Sequence, residues 1–290
     1  MRNFYLWLSA FIIFTAIASS LPEKGTTTVP PIRLSPKASE KALPPLKRSQ
    51  PEGAGQLKEK NRFDPIIAIT SEAKNRGQIY TGTAFSLSEQ GVWGTAQHVT
   101  AGCTDLVVLI NARKGYRVTE VTQHPTADIS ILKTARGAKP FQIEERDLSY
   151  NSEGFHFGYP RGEPGNVYSR LIGRRIIKTR GARNTKESVL VWAEEIRQPD
   201  HNLSLGGISG GPILNTQGHL VGVHIAGSVR RGRSYSSLPE TLLSLLQQTD
   251  YSAPRTDTED KALYQVDHLR ETGILLRKRL SVTKVICMVK

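Results

Sequence analysis

The sequence is poor in sulfur. Among 290 residues it has only two cysteines, Cys103 and Cys287. They lie far apart, so a single bridge is open to them but a disulfide framework is not. Neither has metal-ligand spacing with a histidine, which excludes a structural zinc of the usual type. Aromatic residues make up 7% of the chain, and no aromatic RNA-binding signature, helix-turn-helix or zinc finger occurs. The net charge of +13 therefore stands without a nucleic-acid motif, and solvated surface charge is its simplest explanation. No Gly-Lys-Ser/Thr follows the glycines of "GYPRGEPGN" (158–166), which excludes a phosphate loop and leaves a surface loop. No solenoid-type period recurs. These absences leave no metal, no other cofactor and no nucleic-acid partner to expect.

The one long apolar run is N-terminal. "MRNFYLWLSAFIIFTAIASS" has Arg2, an apolar stretch from Phe4 to Ala18, and small residues Ala16 and Ala18 ahead of Ser19. It falls short of the roughly 20 residues that span a membrane comfortably, so residues 1–18 read as a signal peptide. An uncleaved signal anchor is the alternative, and only then is membrane contact expected. Either reading exports the chain, to the periplasm or the medium. Residues 19–62 are rich in Pro, Lys, Ser and Thr and have few large apolar residues. Such a segment cannot bury enough surface to offset its ordering entropy and reads as a disordered linker.

From Phe63 short β-type runs crowd together. The first set is "PIIAIT" (65–70), "IYTGTAFSL" (79–87), "DLVVLI" (105–110), "YRVTEVT" (116–122) and "DISILK" (128–133). The second is "FHFGYP" (155–160), "VYSRLIGRRIIK" (167–178), "SVLVWAEE" (188–195), "GPIL" (211–214) and "HLVGVHIAG" (219–227). Many short strands separated by turn residues indicate an all-β sandwich or barrel. The polar break near 135–152 predicts two small barrels, about 63–135 and 153–237. "LPETLLSLLQQ" (238–248) puts four leucines on one face and Pro in the first turn, which predicts a helix. Residues 249–290 read as a basic C-terminal tail without an assignable role.

Three short blocks carry the chemistry. In "GGISGGPILN" (206–215) Ser209 sits among glycines, which cost backbone entropy and pack nothing. A serine nucleophile needs a base and a group to orient that base. "VWGTAQHVTAGC" (92–103) offers His98 after a strand and small residues. "HPTADISILK" (124–133) offers Asp128 at the edge of an apolar run, where a carboxylate needs partners. The chain order is His98, Asp128, Ser209.

"TAQHV", "ADISIL" and "GGISGGP" together resemble the signature blocks of the chymotrypsin-like (trypsin-fold) serine proteases, over about residues 63–248. The resemblance implies an all-β fold of two six-stranded antiparallel barrels with a C-terminal helix. It implies Ser209 as nucleophile, His98 as general base then acid, and Asp128 as the group that orients His98. The amides of Gly207 and Ser209 would form the oxyanion hole. Ile208 stands where trypsin has the aspartate that pairs with a new N-terminus, so activation of that kind is not expected. HtrA-type proteases lack this aspartate too but carry PDZ domains, for which the residues after the helix are too few.

The strand "VGVHIAG" (221–227) would line the primary specificity pocket. His224 in it resembles the glutamyl endopeptidases, with Ser204 at a pocket wall and Gly227 at the strand's end. Leu203 falls where trypsin has its basic-selective aspartate, which argues against cleavage after Lys or Arg. Arg230, Arg231 and Arg233 would add positive potential or be plain surface charge. The expected activity is that of an exported serine endopeptidase acting on protein or peptide substrates, with Glu, Asp or Gln on the acyl side of the scissile bond. Two other readings compete: a non-catalytic peptide-binding module, and a membrane-tethered polyanion binder. Cys103 is expected as a small packed residue, His124 as solvent-facing, and His156, His201, His219 and His268 have no partner that the sequence names.

Overall fold

A computed structural model describes residues 55–200, 204–252 and 263–290. The signal peptide, most of the linker, Leu203 and His201 lie outside the described residues. Fourteen strands form two seven-stranded sheets.

The second sheet holds β1 (Ile66–Ser71), β8 (Glu153–Gly158), β9 (Gly165–Gly181), β10 (Thr185–Gln198), β11 (Pro212–Leu214), β12 (Leu220–Ser228) and β13 (Arg233–Ser237). Strand β8 pairs with both β11 and β9, so β9-β10-β13-β12-β11-β8 closes on itself. Closure removes the exposed edges of these six strands, as the barrel expectation requires. Strand β1 was expected in the first barrel. It runs parallel to β9 instead, Ile66 opposite Ile176 through Ser71 opposite Gly181. Its alternation of exposed and half-buried residues suits an edge covered on one face only.

The first sheet contains β2 (Ile79–Ser88), β3 (Val92–Thr95), β4 (Asp105–Leu109), β5 (Gly115–Arg117), β6 (Glu120–Gln123), β7 (Ser130–Lys133) and β14 (Val282–Met288), in the order β5-β4-β14-β2-β3-β7-β6. Residues read as a tail thus supply a central strand. β14 is antiparallel to β2 on one side and to β4 on the other. Thr283, Val285 and Cys287 on one face are buried, and so is Val282 on the other. The apolar residues of "VTKVICM" do not alternate and Lys284 stands among them, so the sequence did not announce this strand. The bridge Cys103–Cys287, with an S–S distance of 2.08 Å, ties it to the loop before β4. Cys103 is therefore not a plain packed residue.

The α-helices among the described residues are α1 (Gln97–Thr100), α2 (Pro239–Leu246) and α3 (Leu269–Lys278). Helix α2 buries Leu242, Leu245 and Leu246, the face its leucine spacing predicts. Helix α3 packs on β9 and β14.

Candidate functional site

His98 lies in α1, directly after β3. The turn before it is fixed by Thr95, whose hydroxyl donates to Thr83 O at 2.7 Å. Asp128 ends the turn between β6 and β7. His124 shapes that turn, because its Nδ1 accepts the amides of Thr126 (3.2 Å) and Ala127 (3.0 Å). His124 is thus a structural acceptor rather than a solvent-facing side chain.

The two residues meet twice. The His98 amide donates to Asp128 Oδ1 at 2.8 Å, and the His98 ring nitrogen Nδ1 lies 2.7 Å from Oδ2. An ionised carboxylate only accepts, so Nδ1 carries the proton and Nε2 is left bare. Asp128 is buried, which alone would raise its pKa. The charge and hydrogen bonds of His98, with the Arg183 guanidinium, outweigh burial and hold it below the usual carboxylate range.

Two further groups surround Asp128, and sequence reasoning missed both. Arg183 Nη1 donates to Asp128 Oδ1 at 2.8 Å. Glu187 Oε1 accepts the Asp128 amide at 2.7 Å, and its Oε2 accepts the Ser237 hydroxyl at 2.7 Å. Burial first, then the charge of Asp128, pushes the Glu187 carboxyl up to about 7 against these hydrogen bonds and Arg183. The one sequence signal for Glu187 was a carboxylate entering an apolar strand.

Ser209 belongs to a turn-rich segment, 204–211, pinned to both sheets. Ser209 O accepts from Thr83 N in β2, and Gly210 N donates to His224 O in β12. Gly210 has φ +85°, and a Cβ there would lie 2.2 Å from both Thr83 O and Thr95 Oγ1. The segment therefore sits tight against the turn that leads into His98. Gly207 has φ +98°, and its Cβ would lie 2.6 Å from Tyr159 O. A residue with a side chain would be strained and would clash there. Ile208 fills an apolar cluster with Val167 and Leu205. Among the described residues the amides of Gly207 and Ser209 donate to no protein acceptor, and no hydrogen bond joins the Ser209 hydroxyl to His98.

Ser209 opens onto a cavity of about 130 Å³ that Ser204, His224 and Gly227 also line. While Leu203 lies outside the described residues and Arg230, Arg231 and Arg233 do not line the cavity, three of the predicted pocket residues, Ser204, His224 and Gly227, meet at one place. Glu194 and Arg197 join them, and Arg197 Nε donates to Glu194 Oε2 at 2.8 Å. This charged pair was passed over inside a strand reading. Buried His224 lies with Nδ1 3.2 Å from Nδ1 of His156, and His156 Nε2 is 2.7 Å from the Ser169 hydroxyl. Burial, followed by the charges of His98 and Arg197, pushes His224 down to about 3, so the ring is neutral at neutral pH. Arg230 and Arg231 are exposed. A second, larger cavity of about 610 Å³ is lined by His98 and Asp128 together with Lys74, Arg183 and Ile225.

A family model described as trypsin-like peptidase domain matches residues 82–223. A curated relative, a probable periplasmic serine endoprotease DegP-like from Chlamydia trachomatis serovar D, is 24% identical over 216 residues. The match covers 72% of this chain and 42% of the relative, so the chain spans less than half of that protein's length. The active form of the Rv3671c protease from M. tuberculosis superposes with a TM-score of 0.53 at 16% identity, covering 70% of this chain and 97% of that one. The serine endoprotease from Yersinia pestis gives 0.46 at 16% identity, covering 61% and 60%. The fold is the chymotrypsin-like pair of β-barrels, with β1 and β14 as the strands that depart from six and six.

Proposed function

We propose that this chain, a trypsin-fold serine protease with a trypsin-like peptidase domain at 82–223, is an exported endopeptidase that cleaves through Ser209, His98 and Asp128. The observation that carries the reading is the doubly hydrogen-bonded His98–Asp128 pair. It leaves Nε2 of His98 bare, the state a general base needs. Ser209 Oγ would attack the scissile carbonyl as His98 takes its proton. The imidazolium so formed would be stabilised by Asp128 and would then protonate the leaving amine. Water would hydrolyse the acyl-enzyme by the same route in reverse. The amides of Gly207 and Ser209, which donate to no acceptor among the described residues, are available to the oxyanion, and each such donor is worth about 3 kcal/mol of barrier in comparable enzymes. The contact between Ser209 and His98 would close on substrate binding, as catalytic hydrogen bonds commonly do.

Export is supported by the N-terminal apolar run and by the Cys103–Cys287 bridge, which belongs in an oxidising compartment. The curated relative's description as periplasmic is in keeping with it.

For the acyl-side residue, the pocket supports an amide or carboxylate oxygen. The Ser169 hydroxyl lies 2.7 Å from His156 Nε2 and 3.2 Å from Gly154 O, and with its one proton on the shorter contact His156 Nδ1–H donates to His224 Nδ1. That order leaves an Nε2–H on neutral His224 as a donor in the cavity. Ser204 adds a hydroxyl, and Arg197 opposes Glu194 so the walls carry little net charge.

The test is reaction of the purified 55–290 chain with a fluorophosphonate probe beside Ser209→Ala. Labelling of the wild type alone supports an activated nucleophile, and labelling of neither refutes it. Peptide-library profiling then reads the pocket. Preference for Glu or Gln that falls about tenfold or more in His224→Val supports the donor reading. Equal turnover after Arg, Leu or Ala sinks it.

A further inference from the structure

The turn joining β9 and β10 leaves the second barrel and lands on the Asp128 turn of the first. Three contacts make the landing: Lys186 N–H donates to Thr126 O at 2.9 Å, Glu187 accepts the Asp128 amide, and Arg183 donates to Asp128 Oδ1. Arg183 is well buried for an arginine, with 14% of its side chain exposed. It also reaches Gln97 Oε1 in α1 at 3.4 Å. Gln97 in turn donates to His124 O at 3.0 Å. One guanidinium thus touches both the carboxylate and the helix that carries His98.

We propose that Arg183 is a positioning residue, whose charge holds the buried Asp128 carboxylate ionised and aimed at His98 Nδ1. This rests on the reading of His98 and Asp128 as the proton-handling pair. Asp128 has a second carboxyl, Glu187, directly behind it, and two buried acids in contact cannot both ionise cheaply. Arg183 supplies the compensating charge from the open side. The groups that face the pair are Arg183 and Glu187 from the second barrel, Lys74 from the segment after β1, His124 from the turn before Asp128, and His224 from β12.

The sign follows from charge. Arg183 repels a protonated His98 and neutralises part of Asp128, so it disfavours the imidazolium. Without it that repulsion is gone, and the imidazolium formed during turnover is favoured. The acid limb of the pH profile therefore moves upward.

Arg183→Gln keeps a donor and removes the charge. Its acid limb of the labelling rate or of kcat/KM should move up by about one pH unit, a size expected for a lost charge at this range. Activity at pH 6 should fall about tenfold more than at pH 9, which is that unit converted. Arg183→Lys, which keeps the charge, should bring the limb most of the way back. Arg180→Gln, on an exposed residue of the same hairpin, is the control. If Arg183→Gln does not fold, Arg183→Met keeps the aliphatic stem and takes its place. A limb at the wild-type position in the charge-removed variant overturns the proposal, whatever its effect on stability. A second readout needs no turnover: the low-field Nδ1–H proton signal of His98 should broaden or vanish in Arg183→Gln on a Ser209→Ala background and persist in Ser209→Ala alone. If the wild type never labels but this signal behaves as expected, Ser209 as nucleophile fails while the role of Arg183 stands.

Discussion

Breaking the bridge between Cys103 and Cys287 should lower stability strongly and activity little. The bridge closes a loop across a sequence separation of 184. Loop-closure entropy for that length gives about 5 kcal/mol at 25 °C, and real bridges deliver about 2–4 of what such models promise. Cys103→Ala/Cys287→Ala also removes a sulfur that is buried at position 287. A loss of about 3–5 kcal/mol follows, and for a chain of this size that is a fall in Tm of about 10 °C.

Activity at 25 °C should change by less than about threefold, because neither sulfur bonds His98 or Asp128 and the sulfurs' link to α1 runs through Lys74 Nζ, which also donates to Val99 O. β14 also keeps its seven-residue register with β2 when the bridge is gone. The assay is a thermal melt beside labelling kinetics, with alkylation of the unfolded, unreduced wild type as the check on oxidation state. Two alkylated cysteines in the wild type, or a fall in Tm below about 3 °C with the bridge intact, would refute the loop-closure reasoning. Activity lost while the fold persists would instead mean that the bridge sets the position of His98, five residues before Cys103.

Two other perturbations have definite signs. Burial holds the Glu187 carboxyl up at about 7, against 4.5 for a free side chain. Folding therefore favours its protonated form. That contribution is complete below pH 4.5 and is lost as pH rises through about 7. Glu187→Gln fixes the neutral form, so wild-type stability should decline from pH 5 to pH 8 by roughly 2–3 kcal/mol relative to the variant. Parallel stability curves in urea at the two pH values would contradict this. Gly210→Ala places a Cβ 2.2 Å from Thr83 O and Thr95 Oγ1 at φ +85°, and should cost about 3 kcal/mol or more. Urea unfolding within about 1 kcal/mol of wild type would show that the segment beside Ser209 can move away from β2.

The all-β class, helix α2 and the pairing of His98 with Asp128 were legible because each has a local signature. Strand texture, leucine spacing and a carboxylate on an apolar run are all properties of neighbouring residues. What escaped was non-local. β14 looked like a charged tail because Arg279 precedes it and Lys284 stands among its apolar residues, which do not alternate, and only pairing with β2 and β4 makes it a strand. Strand β13, "RSYSS", has almost no apolar content to announce it. Its serines are buried through bonds to other strands, Ser237 to Glu187 and Ser236 to Trp192. His156 had no visible partner because His224 and Ser169 come from different strands of the barrel. Arg183 is one arginine among many until the hairpin's landing point is known.

The last segment of the chain reaches both halves of the site. β14 supplies the strand between β2 and β4, and its Cys287 is bonded to the loop that follows α1. In α3, Arg277 Nη2 donates to Gly158 O and Asn166 Oδ1, at the two ends of the loop that sequence reading placed on the surface. That loop is not free. Its Arg161 amide donates to Gly206 O, and Tyr159 O lies where a Cβ on Gly207 would clash. The backing of the Gly207 amide and the seat of His98 therefore depend on residues 269–288. Contacts of such long sequence separation close slowly, because loop entropy is lost before they reward it. The local blocks that identify the chemistry can form early, whereas the geometry that makes them a site has to wait for α3 and β14 to dock.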